Sequence, residues 1–310
     1  MTSVVICTYK RAFYLEKCLA ALLSDGWPPA VREICVIDNA DDVATRMLVA
    51  SWSERFPGSI RYVAESRVGL SHARNKGAEV AVGPWLHYLD DDARIRAGYF
   101  DNALDFLTRF PEVVCFGGPY EAWFLHGKPR WMWEDFGTMT PLLPAPGHLD
   151  TPELAGGNYW IRKDALLAVG GFPVRYGMSG TSIGYAEENV VQAKLLAAGH
   201  RLGFDPRLMV DHAVLPHKLR FSWHLRNWYA HGRDGQRLMR SYNGRQLLGL
   251  TLRSLAAVPV KLPGALLRWV MRRDYFWENL VWDVLGPLWF RAGQWSGRRM
   301  LARPGSNDVA

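Results

Sequence analysis

The sequence has few cysteines, and none are spaced for metal or redox chemistry. Its 310 residues include four thiols, Cys7, Cys18, Cys35 and Cys115, each in or beside an apolar run. No C-x-x-C pair is present, which excludes a zinc knuckle and a redox dithiol. We expect four buried, reduced thiols.

The sequence also lacks the long apolar stretches that lead a chain into or across a membrane. Apolar residues 4–7 give way at once to Lys10 and Arg11, so no secretory signal is indicated. The most apolar segment, residues 255–270, is shorter than the run of about 18 residues that a span needs. Two prolines and two cations also interrupt it: Pro259, Lys261, Pro263 and Arg268. We expect a cytoplasmic protein without a spanning helix.

The positive charge is concentrated at one end of the chain. The net charge is +7, with 49% apolar and 22% charged residues, a composition typical of globular proteins. Residues 1–212 carry 21 basic and 25 acidic side chains, whereas residues 213–310 carry 16 and 5. Seven of the 14 tryptophans also lie in the second segment. Because the first segment is acidic and no nucleic-acid reader motif is present, we expect no nucleic-acid partner.

Strand and helix patterns alternate over the first two thirds of the chain. Short apolar runs predict strands at residues 2–9, 34–37, 60–63 and 85–89. Helical spacing and stop signals predict helices at residues 14–23, 69–83 and 187–198. This order predicts an α/β fold in which helices flank a mostly parallel sheet. The Gly-, Pro- and Trp-rich residues 117–157 are expected to form loops around a cleft.

Acidic residues follow two of the predicted strands. Asp38 ends the second strand, and Asp90, Asp91 and Asp92 end the fourth. Ligands of open α/β sheets bind at the carboxyl ends of strands, so we place a site there. Carboxylates two residues apart can reach one hard divalent cation. A solvated turn or helix cap is the alternative.

A set of short motifs resembles the inverting, nucleotide-sugar-dependent glycosyltransferases of family 2. The motifs are Val-Val-Ile-Cys-Thr-Tyr-Lys-Arg at 4–11, Val-Ile-Asp-Asn at 36–39, Ala-Arg-Asn-Lys-Gly at 73–77, Leu-Asp-Asp-Asp at 89–92, Gly-Gly-Asn at 156–158 and Glu-Glu-Asn at 187–189. The resemblance covers residues 2–212. It implies a GT-A fold, a Rossmann-like sheet flanked by helices, with residues 1–212 as the catalytic domain.

The resemblance also implies where the donor and its metal bind. Residues assigned to the nucleotide are Thr8, Tyr9, Arg11, Asp38, Arg74 and Asp90. The metal, Mg²⁺ or Mn²⁺, would be held by Asp92 and Asp90, with His212 completing the shell. Asp91, Gly157 and Asn158 would flank the donor or acceptor. Arg74 could instead be an ordinary surface cation, and His212 could be structural.

Two acidic residues at the start of a predicted helix are candidates for the catalytic base. The family usually has Glu-Asp here, with the second carboxylate as the base, which corresponds to Glu188. The side chain is longer than the family's, so Glu187 remains an alternative base. Two acids favoured by the helix dipole are the non-catalytic explanation. Trp131 and Trp133 could form an acceptor platform or belong to the core.

Residues 213–310 are expected to form a helical, basic, Trp-rich region. Helical patterns run over residues 219–240 and 247–257. Such helices can lie in the headgroup region of an anionic membrane, here on its cytoplasmic face. Packing against the catalytic domain or a second subunit is the alternative.

The combined prediction is a metal-dependent inverting glycosyltransferase. It would move a sugar from a nucleotide-diphosphate donor, which the resemblance indicates is a UDP-sugar, to a glycan or lipid-linked acceptor. The alternatives are a non-catalytic nucleotide-sugar or glycan-binding member of the family and a peripheral membrane scaffold.

Overall fold

The structure is a computed structural model that describes residues 1–180, 182–238 and 241–301. The chain divides into two compact units. The sheet unit comprises Met1–Trp123, Gly137–Ser182 and Glu187–Ala213. The helical unit comprises Phe124–Phe136, Ile183–Ala186 and Val214–Ala310. The second unit therefore includes two short segments that come from within the first 212 residues.

The described residues of the sheet unit form eleven strands and six helices. The strands are β1 Thr2–Thr8, β2 Val31–Asp38, β3 Ile60–Ala64, β4 Trp85–Leu89, β5 Ala93–Ile95, β6 Val113–Gly117, β7 Tyr120–Trp123, β8 Gly147–Leu149, β9 Asn158–Arg162, β10 Arg201–Phe204 and β11 Val210–Ala213. The helices are α1 Ala12–Leu22, α2 Val43–Arg55, α3 Leu70–Val80, α4 Tyr99–Arg109, α5 Lys163–Ala168 and α6 Glu187–Ala197.

The main sheet is mixed and has eight strands in the order β3-β2-β1-β4-β9-β6-β10-β8. The β1–β2, β1–β4, β2–β3 and β6–β10 pairs are parallel, whereas β9 and β8 run antiparallel to their neighbours. A second sheet has the order β5-β11-β7. The α/β fold predicted from the sequence is confirmed, as are its four early strands.

The core lies on both faces of the main sheet. Ile6 of β1 packs with Leu15 and Leu19 of α1 on one face. Val5 belongs to the cluster on the other face with the small residues of α3. A Cβ added at Gly77 of α3 would lie 2.3 Å from Val5 Cγ1, so glycine permits this close approach. The continuous apolar run of β1 therefore reflects burial on both sides.

Residues 117–157 contain more regular structure than the sequence predicts. The sequence indicates loops there, but β7 and β8 both fall within this range. They have four and three residues, too few for an alternating pattern to be recognised. Each forms through pairing with a distant strand, β7 with β11 and β8 with β10.

The helical unit contains α7 Phe221–Leu238, α8 Gly244–Met271 and α9 Trp277–Leu301, preceded by a 3-10 turn at Pro216–Leu219. Both predicted helices are present, although Arg240 lies outside the described residues. α8 extends well past its predicted end at residue 257, because Pro259 and Pro263 lie inside it rather than ending it.

α8 is longer than the sequence pattern indicates. Among the described residues, it is a helix long and apolar enough to cross a membrane by length and composition, and few of its apolar residues are buried. Length and composition do not test whether it spans, so the expectation of no spanning helix stays a prediction.

Candidate active site

The carboxyl ends of three neighbouring strands bring the first motif residues together. Thr8 of β1 pairs with Asp38 of β2, and β4, which leads into Asp90, lies on the other side of β1. The Asp90 backbone N–H donates to the Gly157 carbonyl oxygen at 3.1 Å. The structure therefore brings the motif residues to one edge of the sheet. Half-buried Tyr9 directly follows Thr8 at this edge.

The middle carboxylate of the acidic triplet points into the protein. Asp91 is 2% exposed and accepts a hydrogen bond from Thr8 Oγ1 at 2.6 Å. Arg11 Nη1 donates to Asp91 Oδ1 at 3.1 Å and lies 3.4 Å from Asp92 Oδ2. The sequence places Asp91 beside the donor or acceptor. The structure instead uses it to tie the triplet to the end of β1.

The two outer carboxylates converge with a histidine. Asp90, Asp92 and His212 each offer one ligand atom, and these atoms all lie within 4.8 Å of one another. His212 Nε2 is 3.2 Å from Asp92 Oδ1 and 3.6 Å from Asp90 Oδ2. The histidine reaches this position because β11 pairs with β5, opposite Ala93. Two carboxylates and an imidazole form a donor set that a divalent cation such as Mn²⁺ can use.

The ionised form of the Asp90 side chain is stabilised even though burial opposes it. Burial acts to raise the pKa of Asp90, but the contact with His212 and the charge of Arg74 outweigh it. The pKa of Asp90 consequently lies below its usual value. A carboxylate that stays ionised is the form that binds a cation.

Arg74 links the acidic triplet to the glutamate pair. Its side chain is 4% exposed, with Nη1 2.6 Å from Glu187 Oε1 and Nη2 3.7 Å from Asp90 Oδ1. The guanidinium also lies over the Phe172 ring, 5.4 Å from its centroid. Such burial excludes the alternative of an ordinary surface cation.

Two consecutive glycines make room for these charged groups. A Cβ on Gly156 would lie 2.6 Å from Arg74 Nη2, and a Cβ on Gly157 would lie 2.1 Å from Asp90 Oδ2. Both distances are below 3.0 Å, the closest approach that a Cβ atom normally makes to another heavy atom. The groups that lie against these two glycines are therefore the side chains of Arg74 and Asp90.

The two glutamates at the start of α6 have different environments. Glu187 is buried and paired with Arg74, whereas Glu188 is half-exposed. Burial and the neighbouring charge of Glu187 raise the pKa of Glu188 to about 8. Glu188 therefore combines solvent access with a pKa close to neutrality.

The sequence assigns Asp38 to the nucleotide site, but its carboxylate is enclosed by protein groups. Its side chain is fully buried. One carboxylate oxygen accepts from the Ala40 N–H at 2.9 Å, and the other accepts from the Asp42 N–H at 2.7 Å and from the Tyr62 hydroxyl at 2.9 Å. These bonds hold the loop that follows β2.

Asn158 is also turned into the protein. The sequence places it beside the donor or acceptor, but it is 1% exposed. Its Nδ2 donates to the Leu208 carbonyl oxygen at 2.6 Å, and its Oδ1 accepts from the Tyr99 hydroxyl. Because both ends of the amide bind protein groups, Asn158 fixes the start of β9 rather than facing a ligand.

Trp131 and Trp133 pack against aromatic side chains of the helical unit. The Trp131 ring lies 5.6 Å from the Phe221 ring, and the Trp133 ring lies 4.7 Å from the Trp282 ring. Phe221 and Trp282 belong to α7 and α9. The structure therefore favours the core alternative over an acceptor platform.

A polar cluster after β3 was not identified from the sequence. Asn39 Oδ1 accepts from the Gly69 N–H at 2.7 Å, and its Nδ2 donates to the carbonyl oxygens of Glu65 and Arg67. Hydrogen bonds from Arg67 lower the pKa of Glu65 to about 2. The position of Glu65 after an apolar strand, like that of Asp38, is the signal that could have revealed it.

The comparisons with known proteins agree with this geometry. The family model described as Glycosyl transferase family 2 matches residues 3–170. Glucosyl-dolichyl phosphate glucuronosyltransferase of Haloferax volcanii is 23% identical over 227 residues, which cover 71% of this chain and 72% of that protein. Succinoglycan biosynthesis protein ExoM of Rhizobium meliloti is 27% identical over 237 residues, covering 76% of this chain and 74% of that protein.

A solved structure shares the fold. It is a mannosyltransferase from Pyrobaculum calidifontis in complex with GDP-Man and Mn²⁺. The likeness covers 96% of this chain and 86% of that one, with a TM-score of 0.65 at 19% sequence identity. Identity this low shows the fold alone.

Proposed function

The chain belongs to glycosyl transferase family 2 and is a glycosyltransferase with the GT-A fold, and from this premise we propose a metal-dependent, inverting sugar transfer. The donor is a nucleotide-diphosphate sugar, with UDP as the nucleotide. The acceptor is a glycan or a lipid-linked acceptor. The observation that carries the proposal is the convergence of Asp90, Asp92 and His212 in the same unit as the Arg74–Glu187 pair and Glu188.

A bound metal ion and the cationic side chain of Arg74 would offset the negative charge of the donor's diphosphate. Asp90, Asp92 and His212 would hold Mg²⁺ or Mn²⁺. When bound, the ion would neutralise charge on the leaving diphosphate. We assign Arg74 to the same edge of the nucleotide site, where its buried guanidinium lies 3.7 Å from Asp90 Oδ1.

We assign the base to Glu188 rather than Glu187. The Glu187 carboxylate already binds Arg74 at 2.6 Å, and giving up that ion pair to take a proton would leave a buried cation unpaired. Glu188 is half-exposed and its pKa is raised to about 8, which suits proton transfer near neutral pH. Its carboxylate oxygen accepts the proton of the acceptor hydroxyl.

The transfer is a single displacement. As the hydroxyl proton moves to Glu188, the hydroxyl oxygen forms a bond to the anomeric carbon. The bond between that carbon and the diphosphate oxygen breaks, and its electron pair leaves with the diphosphate. One displacement inverts the configuration at the anomeric carbon.

Nucleotide-sugar hydrolysis tests the donor assignment. UDP- and GDP-sugars are each incubated with the protein and Mn²⁺, Mg²⁺ or EDTA, while thermal stability and nucleotide release are measured. We expect a UDP-sugar to raise the melting temperature and to be hydrolysed only when metal is present. Absence of any shift or hydrolysis with every nucleotide sugar would contradict the donor proposal and favour the non-catalytic alternative.

Matched glutamate variants test the base assignment. Glu188→Gln keeps the size of the side chain but cannot take a proton, so we expect transfer to fall at least 100-fold, with donor binding retained. Glu187→Gln should instead weaken the Arg74 pair and reduce stability. Full transfer by Glu188→Gln, with loss of transfer in Glu187→Gln, would move the base to Glu187.

The surface of α8 supports a location at a membrane. One row of its exposed apolar side chains recurs every three or four residues and so lies along one face: Leu248, Leu252, Leu255, Pro259, Leu262, Leu266 and Val270. Further exposed apolar side chains lie outside this row: Val260, Leu267, Trp269 and Met271. Residues 213–310 carry 16 basic and 5 acidic side chains, which favours anionic lipid. We propose that α8 lies in the headgroup region of the cytoplasmic membrane face.

Vesicle flotation tests this location. We expect binding to vesicles containing anionic lipid and weaker binding to neutral ones. Leu252→Glu should reduce binding, whereas Val82→Glu, an equally exposed apolar site in the sheet unit, should not. Release by alkaline carbonate is expected of a helix lying at the surface; retention would indicate a spanning helix. Equal binding by wild type and Leu252→Glu would contradict the proposal, as would a failure of the wild type to bind.

A further inference from the structure

The segment directly before the glutamate pair is held by the helix α7. Ile183–Ala186 belongs to the helical unit, although Glu187 and Glu188 begin α6 of the sheet unit. The Tyr185 N–H donates to Asp234 Oδ2 at 3.2 Å, and Arg233 Nη2 donates to the Ile183 carbonyl oxygen at 2.6 Å. Two residues of α7 therefore bind the backbone of this four-residue segment.

The Tyr185 side chain adds two further contacts with α7. Its ring stacks on His231 with centroids 4.2 Å apart and planes within 8°. Its hydroxyl donates to Asn227 Oδ1. Together with the backbone bonds, these contacts fix Tyr185 at both its main chain and its ring.

The acceptor on α7 is itself held firmly. Asp234 is 2% exposed, and its carboxylate lies 2.7 Å from Arg233 Nη2 and 3.5 Å from Arg237 Nη1. A buried carboxylate fixed by two cations is a rigid partner for a backbone N–H, and charged hydrogen bonds of this kind are among the stronger ones.

The last residue of the segment has an unusual backbone. Ala186 has φ +78°, a left-handed conformation that residues with a Cβ rarely adopt. Such a conformation persists where the surroundings fix it. Ala186 is followed immediately by Glu187, so its dihedral angles set the direction in which the chain enters α6.

We propose that Tyr185 and Asp234 are positioning residues for the catalytic base. The contacts of α7 hold Ile183–Ala186 in the conformation that directs Glu188 toward the acceptor hydroxyl. This inference rests on the proposed role of Glu188. It gives residues 213–310 a part in the reaction that is separate from any contact with a membrane.

Paired substitutions at Asp234 test the proposal in the full-length protein. Asp234→Ala removes the acceptor for the Tyr185 N–H, whereas Asp234→Asn keeps an acceptor oxygen. We expect Asp234→Ala to lower kcat 10- to 100-fold, with the donor KM within about twofold of wild type, because a base displaced by about 1 Å loses activity on this scale. Asp234→Asn should recover most of the loss.

The matched control is Asp274, which pairs with Arg272 at 2.7 Å on an exposed turn of the same unit. Asp274→Ala should leave kcat and KM unchanged. Tyr185→Phe provides a second test, because it removes only the bond to Asn227; we expect kcat to fall several-fold without a change in donor binding. Donor binding by Asp234→Ala and Tyr185→Phe is measured alongside to confirm folding.

The outcomes separate this inference from the proposed base. If Glu188→Gln keeps full transfer, the base assignment fails first. If Glu188→Gln is inactive but Asp234→Ala and Tyr185→Phe keep the wild-type kcat, the positioning role is overturned. Parallel loss of kcat and donor binding in both variants, with no recovery in Asp234→Asn, would also overturn it, since that pattern indicates general support of the fold.

Discussion

Replacing Gly157 by alanine should displace Asp90 from the proposed metal site, because the alanine adds a single methyl group beside its carboxylate. The added Cβ would lie 2.1 Å from Asp90 Oδ2 and 2.5 Å from Asp90 Cγ, whereas real Cβ atoms essentially never approach closer than 3.0 Å. The carboxylate must therefore retreat by about 0.9 Å, the difference between 2.1 and 3.0 Å. Metal–ligand distances tolerate only about 0.2 Å, so Asp90 would no longer be a ligand in its present position.

The size of the effect follows from this displacement. Misplacing a reacting group by about 1 Å costs roughly 100-fold in rate, and we expect a loss of this order in kcat/KM for Gly157→Ala. The Mn²⁺ concentration that gives half-maximal activity should rise at least about tenfold, since one of three proposed ligands is displaced. Transfer is assayed over a Mn²⁺ titration at saturating donor.

The neighbouring glycine provides the control. A Cβ at Gly156 would meet the Arg74 guanidinium at 2.6 Å rather than Asp90. Gly156→Ala should reduce activity without changing the Mn²⁺ dependence. Wild-type activity of Gly157→Ala at the wild-type Mn²⁺ concentration would refute the assignment of Asp90 to the metal, and so would an equal Mn²⁺ shift in both variants.

Three further outcomes follow from the same geometry. Arg74→Ala leaves the buried Glu187 carboxylate unpaired, so urea unfolding should show a loss of about 3–5 kcal/mol in stability; a loss below about 1 kcal/mol would contradict the pairing. Because the base must be deprotonated and the pKa of Glu188 is raised to about 8, kcat/KM should climb as pH rises through about 8; a rate already constant above pH 6 would contradict this. Ala186→Gly relieves the left-handed strain at φ +78° and should raise the free energy of unfolding by about 0.5–1 kcal/mol; a decrease in urea denaturation would contradict it.

The parts of the site that sequence predicts are those encoded in contiguous motifs. Thr8, Asp38 and the acidic triplet each follow a short apolar strand, and parallel pairing brings such strand ends to one edge. Local pattern places Asp38 and the acidic triplet there, whereas Thr8 is implied by the family resemblance. The early strands and α3 were predicted for the same reason.

The directions of individual side chains depend on distant contacts that no local pattern contains. Asp91 turns inward because Thr8, 83 residues away, donates to it. Glu187 differs from Glu188 because Arg74 lies 113 residues earlier in the chain. Asn158 is enclosed by the Leu208 carbonyl and the Tyr99 hydroxyl. These contacts are set by tertiary packing. A motif therefore predicts where in the fold a residue lies, but not which groups its side chain contacts.

The path of the chain between the two units limits how they can be exchanged. The helical unit takes Phe124–Phe136 and Ile183–Ala186 from the middle of the sequence, so a cut after residue 213 would not separate it cleanly. A chimera that carries the C-terminal helices of a relative also needs the two corresponding segments of that relative. Otherwise Ile183–Ala186 would have to bind a helix α7 with a different sequence. The two units therefore cannot be exchanged by a single cut in the chain.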